Sequence, residues 1–298
     1  MSNLTNKFLP ISLLIIQPIF MASNLIVARG GINIPPISLA FWRWLLAFFV
    51  LFLFTHKEIL QKKSKISSEL FPLMFLGITS ASICGAFPFI AGTSTTIINM
   101  GIIYSSSPIF IVLFSYLLFF TKLTKIQVLG FCLSIFGVLF VICKGNLNFL
   151  LSLKFNPGDL WILGASISWA VYSVYQVKLK TSFTIFSRVT LIALFGALFL
   201  FPFLWIEEFF FFETQFSLEF LFWVGFAALS PSIIAFYLYA QLQKVSDTNI
   251  AGLVVYLYPV YGALYGFFLF DEDLKIYHLV GSFFIFSGIF LSSKYQKK

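Results

Sequence analysis

The chain has 298 residues, of which 60% are hydrophobic and 10% charged, with a mean hydropathy of +0.98. That much apolar surface cannot be hidden inside one soluble core of this length, so the chain belongs in lipid. Its net charge of +8 does not imply a nucleic-acid partner, because the basic residues are scattered between apolar runs instead of gathered on one soluble face. Cys84, Cys132 and Cys143 are odd in number and far apart, so they form no disulfide frame or metal spacing, and no cofactor is expected.

A helix crosses the hydrocarbon layer with roughly 17 to 25 mostly apolar residues. Ten such runs lie at 8–28, 37–54, 71–91, 96–119, 126–143, 159–177, 186–206, 218–240, 249–270 and 276–293. The fold class expected is therefore an all-α membrane protein of ten transmembrane helices. The first run is read as a retained span and not a cleaved leader, since Gln17, Pro18 and Asn24 interrupt it. Gln17 and Asn24, seven residues apart with Met21 between them, share one face of span 1. In span 2, Arg43 lies seven residues after Pro36, about 10 Å into the helix, between Trp42 and Trp44. It is either a cationic anchor for a carboxylate or phosphate, or a gate, or a side chain that snorkels to the outer interface or caps neighbouring carbonyls, with the tryptophans part of an aromatic belt.

Span 4 carries Asn99, Tyr104 and Pro108, and span 9 carries Asn249, Tyr256, Tyr258, Pro259 and Tyr261. Each proline removes a backbone donor, which is expected to free the carbonyls of Tyr104 and Val255 and to kink or hinge the helix. Trp169, Tyr172 and Gln176 follow three- and four-residue spacing on one face of span 6. The stripes in spans 1 and 6 either line a cavity for a small polar solute or hydrogen-bond helix to helix. Asp159, after Asn156, Pro157 and Gly158, reads as helix-start chemistry. No Asp or Glu falls at the centre of a span, which leaves no obvious proton carrier and favours a facilitator or exchanger.

The two halves repeat each other. Residues 108–140 and 259–291 align without a gap at an offset of 151, pairing Pro108 with Pro259, Gly130 with Gly281 and Gly137 with Gly288. The repeats are placed at 1–143 and 144–298. With five helices in each, the second sits upside down relative to the first, an arrangement used for alternating access. Fourteen basic residues, among them Lys57, Lys62, Lys63, Lys65 and Lys244, fall on one side of the spans and four on the other, so both termini are expected in the cytoplasm. An intramembrane enzyme is not expected: the only histidines are His56 and His278, and neither a metal motif nor a nucleophile elbow occurs.

These residues resemble the EamA-type members of the drug/metabolite transporter superfamily over nearly the whole length. The likeness rests on Ala22, Ser23, Asn24 and Arg29, then Pro36, Arg43 and Ala47, then Gly158, Asp159, Trp169 and Ala170, and on the proline-to-glycine segment in each half. The resemblance implies two inverted five-helix halves around a cavity lined by spans 1, 3, 4, 6, 8 and 9, usually exporting amino acids or other small metabolites. The chain departs from the family pattern at Phe20 and Met21, where the first repeat often has tryptophan, and at Thr121, where the mate of Glu272 is missing.

The function expected is a transporter of small metabolites. Amino acids come first because Arg43 can pair with a carboxylate; nucleobases or other metabolites, or a non-transporting sensor or assembly subunit, are the alternatives. The partners expected are a small-molecule substrate and the lipid bilayer, in a monomer or homodimer. A composition rich in Phe, Ile and Lys suggests an AT-rich bacterial genome and hence the inner membrane.

Overall fold

The computed structural model describes residues 2–119, 124–146, 156–245 and 254–294, and every regular element among them is helical. In chain order these are α1 (Ser2–Gly30), α2 (Pro36–Gln61), the short α3 (Lys63–Ser68), α4 (Leu70–Gly92), α5 (Ile97–Tyr104), α6 (Ser107–Phe119), α7 (Lys125–Ile142), α8 (Pro157–Lys178), α9 (Ile185–Phe210), α10 (Leu218–Val245), α11 (Val254–Phe270) and α12 (Ile276–Lys294). Seven described stretches are long and apolar enough to cross a membrane. Val128–Ile142, Leu257–Phe270 and Ile276–Gly288 are apolar but shorter. Phenylalanines cover the outside, with Phe54 79%, Phe268 72% and Phe283 67% exposed, as lipid-facing helices require.

Span 4 is not one continuous helix. It breaks at Ser105 and Ser106, just before Pro108, into α5 and α6. The break does not leave the Tyr104 carbonyl free, as expected from the proline alone. Ser107 Oγ donates to it, and Ser166 Oγ lies 3.5 Å away. Hydroxyls have replaced the missing backbone donor.

Two helix pairs show a reciprocal pattern. Glu207, in the last turn of α9, accepts the N–H groups of Ile37 (3.1 Å) and Ser38 (2.7 Å) at the start of α2. Glu58, in the last turn of α2, accepts the Thr184 N–H (2.9 Å) and the hydroxyls of Thr184 and Ser187 at the start of α9. Each carboxylate thus sits where the partner helix has unpaired donors and the positive end of its dipole. The hydroxyls of Thr55 and Thr190 meet at 3.0 Å between them, so α2 and α9 run antiparallel.

The pair α7 and α12 is likewise antiparallel. Gly137 lies against the carbonyl of Gly281, Gly288 lies against that of Gly130, and Ser134 Oγ donates to the Ile285 carbonyl at 3.0 Å. A Cβ at Gly288 would fall 2.3 Å from the Gly130 oxygen, so only glycine permits this approach.

Both α4 and α10 contain a seven-residue π-helical segment, Gly77–Ile83 and Ala228–Ile234. Ala228 follows Gly77, and Ile234 follows Ile83, by the same 151 residues that separate the proline-to-glycine segments. Each segment receives a serine from a helix of the other half of the chain. Ser168 on α8 donates to the Thr79 carbonyl at 2.6 Å, and Ser23 on α1 meets the hydroxyl of Ser230 at 2.7 Å. Thr79 and Ser230 are again 151 residues apart.

Candidate functional site

Arg43 does not snorkel. Its side chain is 3% exposed and points into the bundle, where Nη1 donates to Asn24 Oδ1 at 2.5 Å and Nη2 to the Gly85 carbonyl at 3.2 Å. The guanidinium carbon lies 4.6 Å from the Phe89 ring and 5.0 Å from the Trp44 ring, so aromatic faces share its charge. No carboxylate among the described residues pairs with it; the two ion pairs there are Lys62 with Glu58 and Lys275 with Asp273. Arg43 Nε and the indole nitrogens of Trp44 and Trp169 are buried without a hydrogen-bond partner. Trp44 Nε1 and Arg43 Nη2 converge on Gly85, where an added Cβ would fall 2.7 and 2.8 Å from them.

An aromatic cluster from both halves of the chain continues from Arg43. Trp44 meets Phe236 edge-on at 5.1 Å, Phe236 meets Trp169 at 5.8 Å, and Trp169 contacts Tyr172 and Tyr239, each at 5.1 Å. Tyr104 stacks on Tyr258 at 4.7 Å and lies 3.0 Å from the Cys84 thiol. The site is thus rich in donors and π faces, and every described Asp and Glu lies at or beyond a helix end. Such a site suits a small anion or carboxylate with an apolar or aromatic body.

The structure therefore brings together Asn24, Arg43, Tyr104, Trp169, Tyr172 and Tyr258 from five helices. Gln17 is fully buried on the same helix as Asn24 but bonds the Ala235 carbonyl at 3.3 Å. Gln176 bonds Gln243 at 2.5 Å. Both amides tie helix to helix. Pro108 lies in the first turn of α6, and Pro259 lies inside α11, where it and Gly262 come close to Gly101 on α5. Asn249 lies outside the described residues, and Tyr256 belongs to α11 with its side chain outside them too.

Asn99 belongs to a different polar group. Its amide nitrogen faces both oxygens of Asp159, at 3.3 and 3.4 Å, and its oxygen faces His278 Nε2 at 2.9 Å. Phe236, Tyr239, Cys84 and Phe89 were not legible as site residues, since each sits in an ordinary apolar run; their roles come from neighbours on other helices. A groove of about 510 Å³ between α5, α11 and α12 includes Pro259, Phe267 and His278 in its wall, and the Arg43 cluster does not line it.

Helices this apolar, with polar side chains gathered inside and phenylalanines outside, define a multi-pass membrane protein. The sequence profile of the EamA-like transporter family matches residues 8–143 and again 156–294. The chain belongs to that family, and so to the drug/metabolite transporter superfamily. It is 26% identical over 297 residues to an uncharacterized transporter of Archaeoglobus fulgidus, covering 99% of each chain. To the uncharacterized transporter YyaM of Bacillus subtilis it is 25% identical over 266 residues, covering 87% of this chain and 84% of the relative. A solved crystal structure matches its fold with a TM-score of 0.60 at 17% identity, over 97% of this chain and 96% of that one. Family and relatives alike point to a membrane transporter rather than an enzyme.

Proposed function

We propose that this transporter moves small carboxylate-bearing metabolites, amino acids first among them, outward across a bacterial inner membrane by alternating access, with Arg43 as the anchor. The observation that carries the substrate class is the Arg43 guanidinium: buried, without a carboxylate partner among the described residues, and beside unpaired indole donors. A buried cation without a counterion is costly in a membrane, and an anionic substrate would remove that cost on binding.

Two inverted five-helix repeats, 1–143 and 144–298, supply the mechanism. The reading is supported by the antiparallel pairs α2 with α9 and α7 with α12, whose contacts are reciprocal, and by π segments at the same 151-residue offset. Corresponding helices meeting head to tail is what a two-fold axis in the membrane plane would produce. Rocking of one repeat against the other would expose Arg43 first to one side and then to the other. The distribution of basic residues supports an orientation with both termini in the cytoplasm.

Counterflow in proteoliposomes tests this reading. Purified protein is loaded with a mixed pool of amino acids, nucleobases and organic acids, and mass spectrometry identifies what leaves. Selective release of carboxylate-bearing solutes supports the proposal. Release of nucleobases alone would replace the substrate class, and release of nothing from folded protein, with or without an ion gradient, would favour a sensor or assembly subunit.

A further inference from the structure

We infer that Asp159 is a proton-binding site, holding a proton while its end of the bundle is closed and releasing it to solvent as that end opens. The Asp159 side chain sits three residues into α8 and is fully buried. Thr95 Oγ1 donates to its Oδ1, and the Asn99 amide nitrogen faces both oxygens. His278, 2% exposed near the start of α12, completes the group through Asn99. The cluster joins the starts of α5, α8 and α12, so it bridges the two halves of the chain at one end.

The hydrogen-bond roles assign the protons. The Lys275 backbone N–H donates to His278 Nδ1 at 3.0 Å, so that nitrogen offers a lone pair. The neutral ring then carries its hydrogen on Nε2, which donates to the Asn99 oxygen at 2.9 Å. With its oxygen used there, Asn99 turns its amide hydrogens to Asp159. His278 has both nitrogens committed. The group left able to gain or lose a proton is the Asp159 carboxyl, with Oδ2 the less occupied oxygen.

The charged and titratable neighbours do not neutralise an ionised Asp159 by contact. Lys144 and Tyr277 lie within electrostatic reach, as does Lys275 of His278, yet neither lysine forms an ion pair with Asp159. Glu272 has its two oxygens on the N–H groups of Ile97 and Ile98. An ionised carboxylate enclosed this way lacks the solvation that water supplies, so closing this end favours the carboxylic acid and opening it favours the carboxylate plus a released proton. The site also connects to the substrate cluster: Asn99 and Tyr104 are five residues apart on α5, about 7.5 Å along one rigid helix.

Hydrogen exchange of the full-length protein in nanodiscs tests this without any substrate, so the result stands apart from the identity of the transported solute. After correction for intrinsic chemical exchange, amides of residues 93–99 and 158–162 should lose protection in wild type by about tenfold per pH unit as pH rises through the titration of Asp159. D159N, a fixed mimic of the protonated side chain, should stay protected at high pH, whereas H278Q should keep the pH response. Equal protection at about pH 5.5 and 8 in wild type would overturn the inference. So would a pH response that survives in D159N or one that vanishes in H278Q; the latter comparison decides even if D159N does not fold.

Discussion

Arg43 is held by Asn24 across 2.5 Å, one polar side chain from α2 and one from α1, both set into the bundle interior. Asn24 fixes one arm of the guanidinium, and Nε stays without a partner. Removing the Asn24 amide should therefore loosen the anchor without removing its charge. N24A is expected to raise the half-saturating concentration for a carboxylate substrate by about tenfold to a hundredfold, the effect of one hydrogen bond to a charged group, with maximal rate less affected. Concentration dependence of counterflow in wild type and N24A checks this.

The reciprocal caps predict matched losses. E207A leaves the N–H groups of Ile37 and Ser38 without their carboxylate, E58A leaves the Thr184 N–H and the hydroxyls of Thr184 and Ser187 without theirs, and each should destabilise the protein by about 1 kcal/mol. The two sites are at opposite ends of the α2 and α9 pair, so the double variant should show the sum. Thermal unfolding in detergent, followed for the three variants, reads both the size and the additivity.

Close helix approach predicts a steeper penalty at one glycine. G288A places a methyl group 2.3 Å from the Gly130 carbonyl and 2.8 Å from the Ser134 backbone nitrogen, and these backbone contacts cannot be relieved without moving α7 from α12. A loss of about 1 to 3 kcal/mol is expected. G225A serves as the control, because nothing lies within 4 Å of a Cβ there. A melting temperature that falls for G288A and holds for G225A would agree with the packing described.

The serine contacts on the π segments bear on motion. S168A and S23A each remove one hydroxyl contact to a segment whose backbone ladder is already irregular. Each should cost about 0.6 kcal/mol of stability, the usual scale for such bonds between membrane helices. If the two segments act as equivalent hinges, both variants should change the counterflow rate at saturating substrate in the same direction and by similar factors.

How much of this was legible from the chain depends on how local the signal was. The membrane class, the position of the apolar runs and the duplicated segment all follow from composition and short-range pattern. Arg43 stood out because an arginine deep in an apolar run is rare. Its alternatives, anchor, gate, or a side chain that snorkels or caps carbonyls, depend on rotamer and neighbours, and Asn24 and the Gly85 carbonyl that it meets are 19 and 42 residues away. Asp159 was read as helix-start chemistry, and it does lie in the first turn of α8. Its second role needed Asn99, 60 residues earlier, which in turn meets His278 across 179 residues. The π segments have no sequence signature of their own. They became visible only as a backbone feature repeating at the offset already read from the prolines and glycines.

The most direct measurement is counterflow of one carboxylate-bearing and one neutral solute by wild type, R43K and R43Q reconstituted at equal density. R43Q should lose the carboxylate solute by about tenfold to a hundredfold while neutral flux changes little, and R43K should keep part of the carboxylate flux through its charge. Equal loss of both solutes in folded R43Q, or no loss of either, would contradict Arg43 as the substrate anchor.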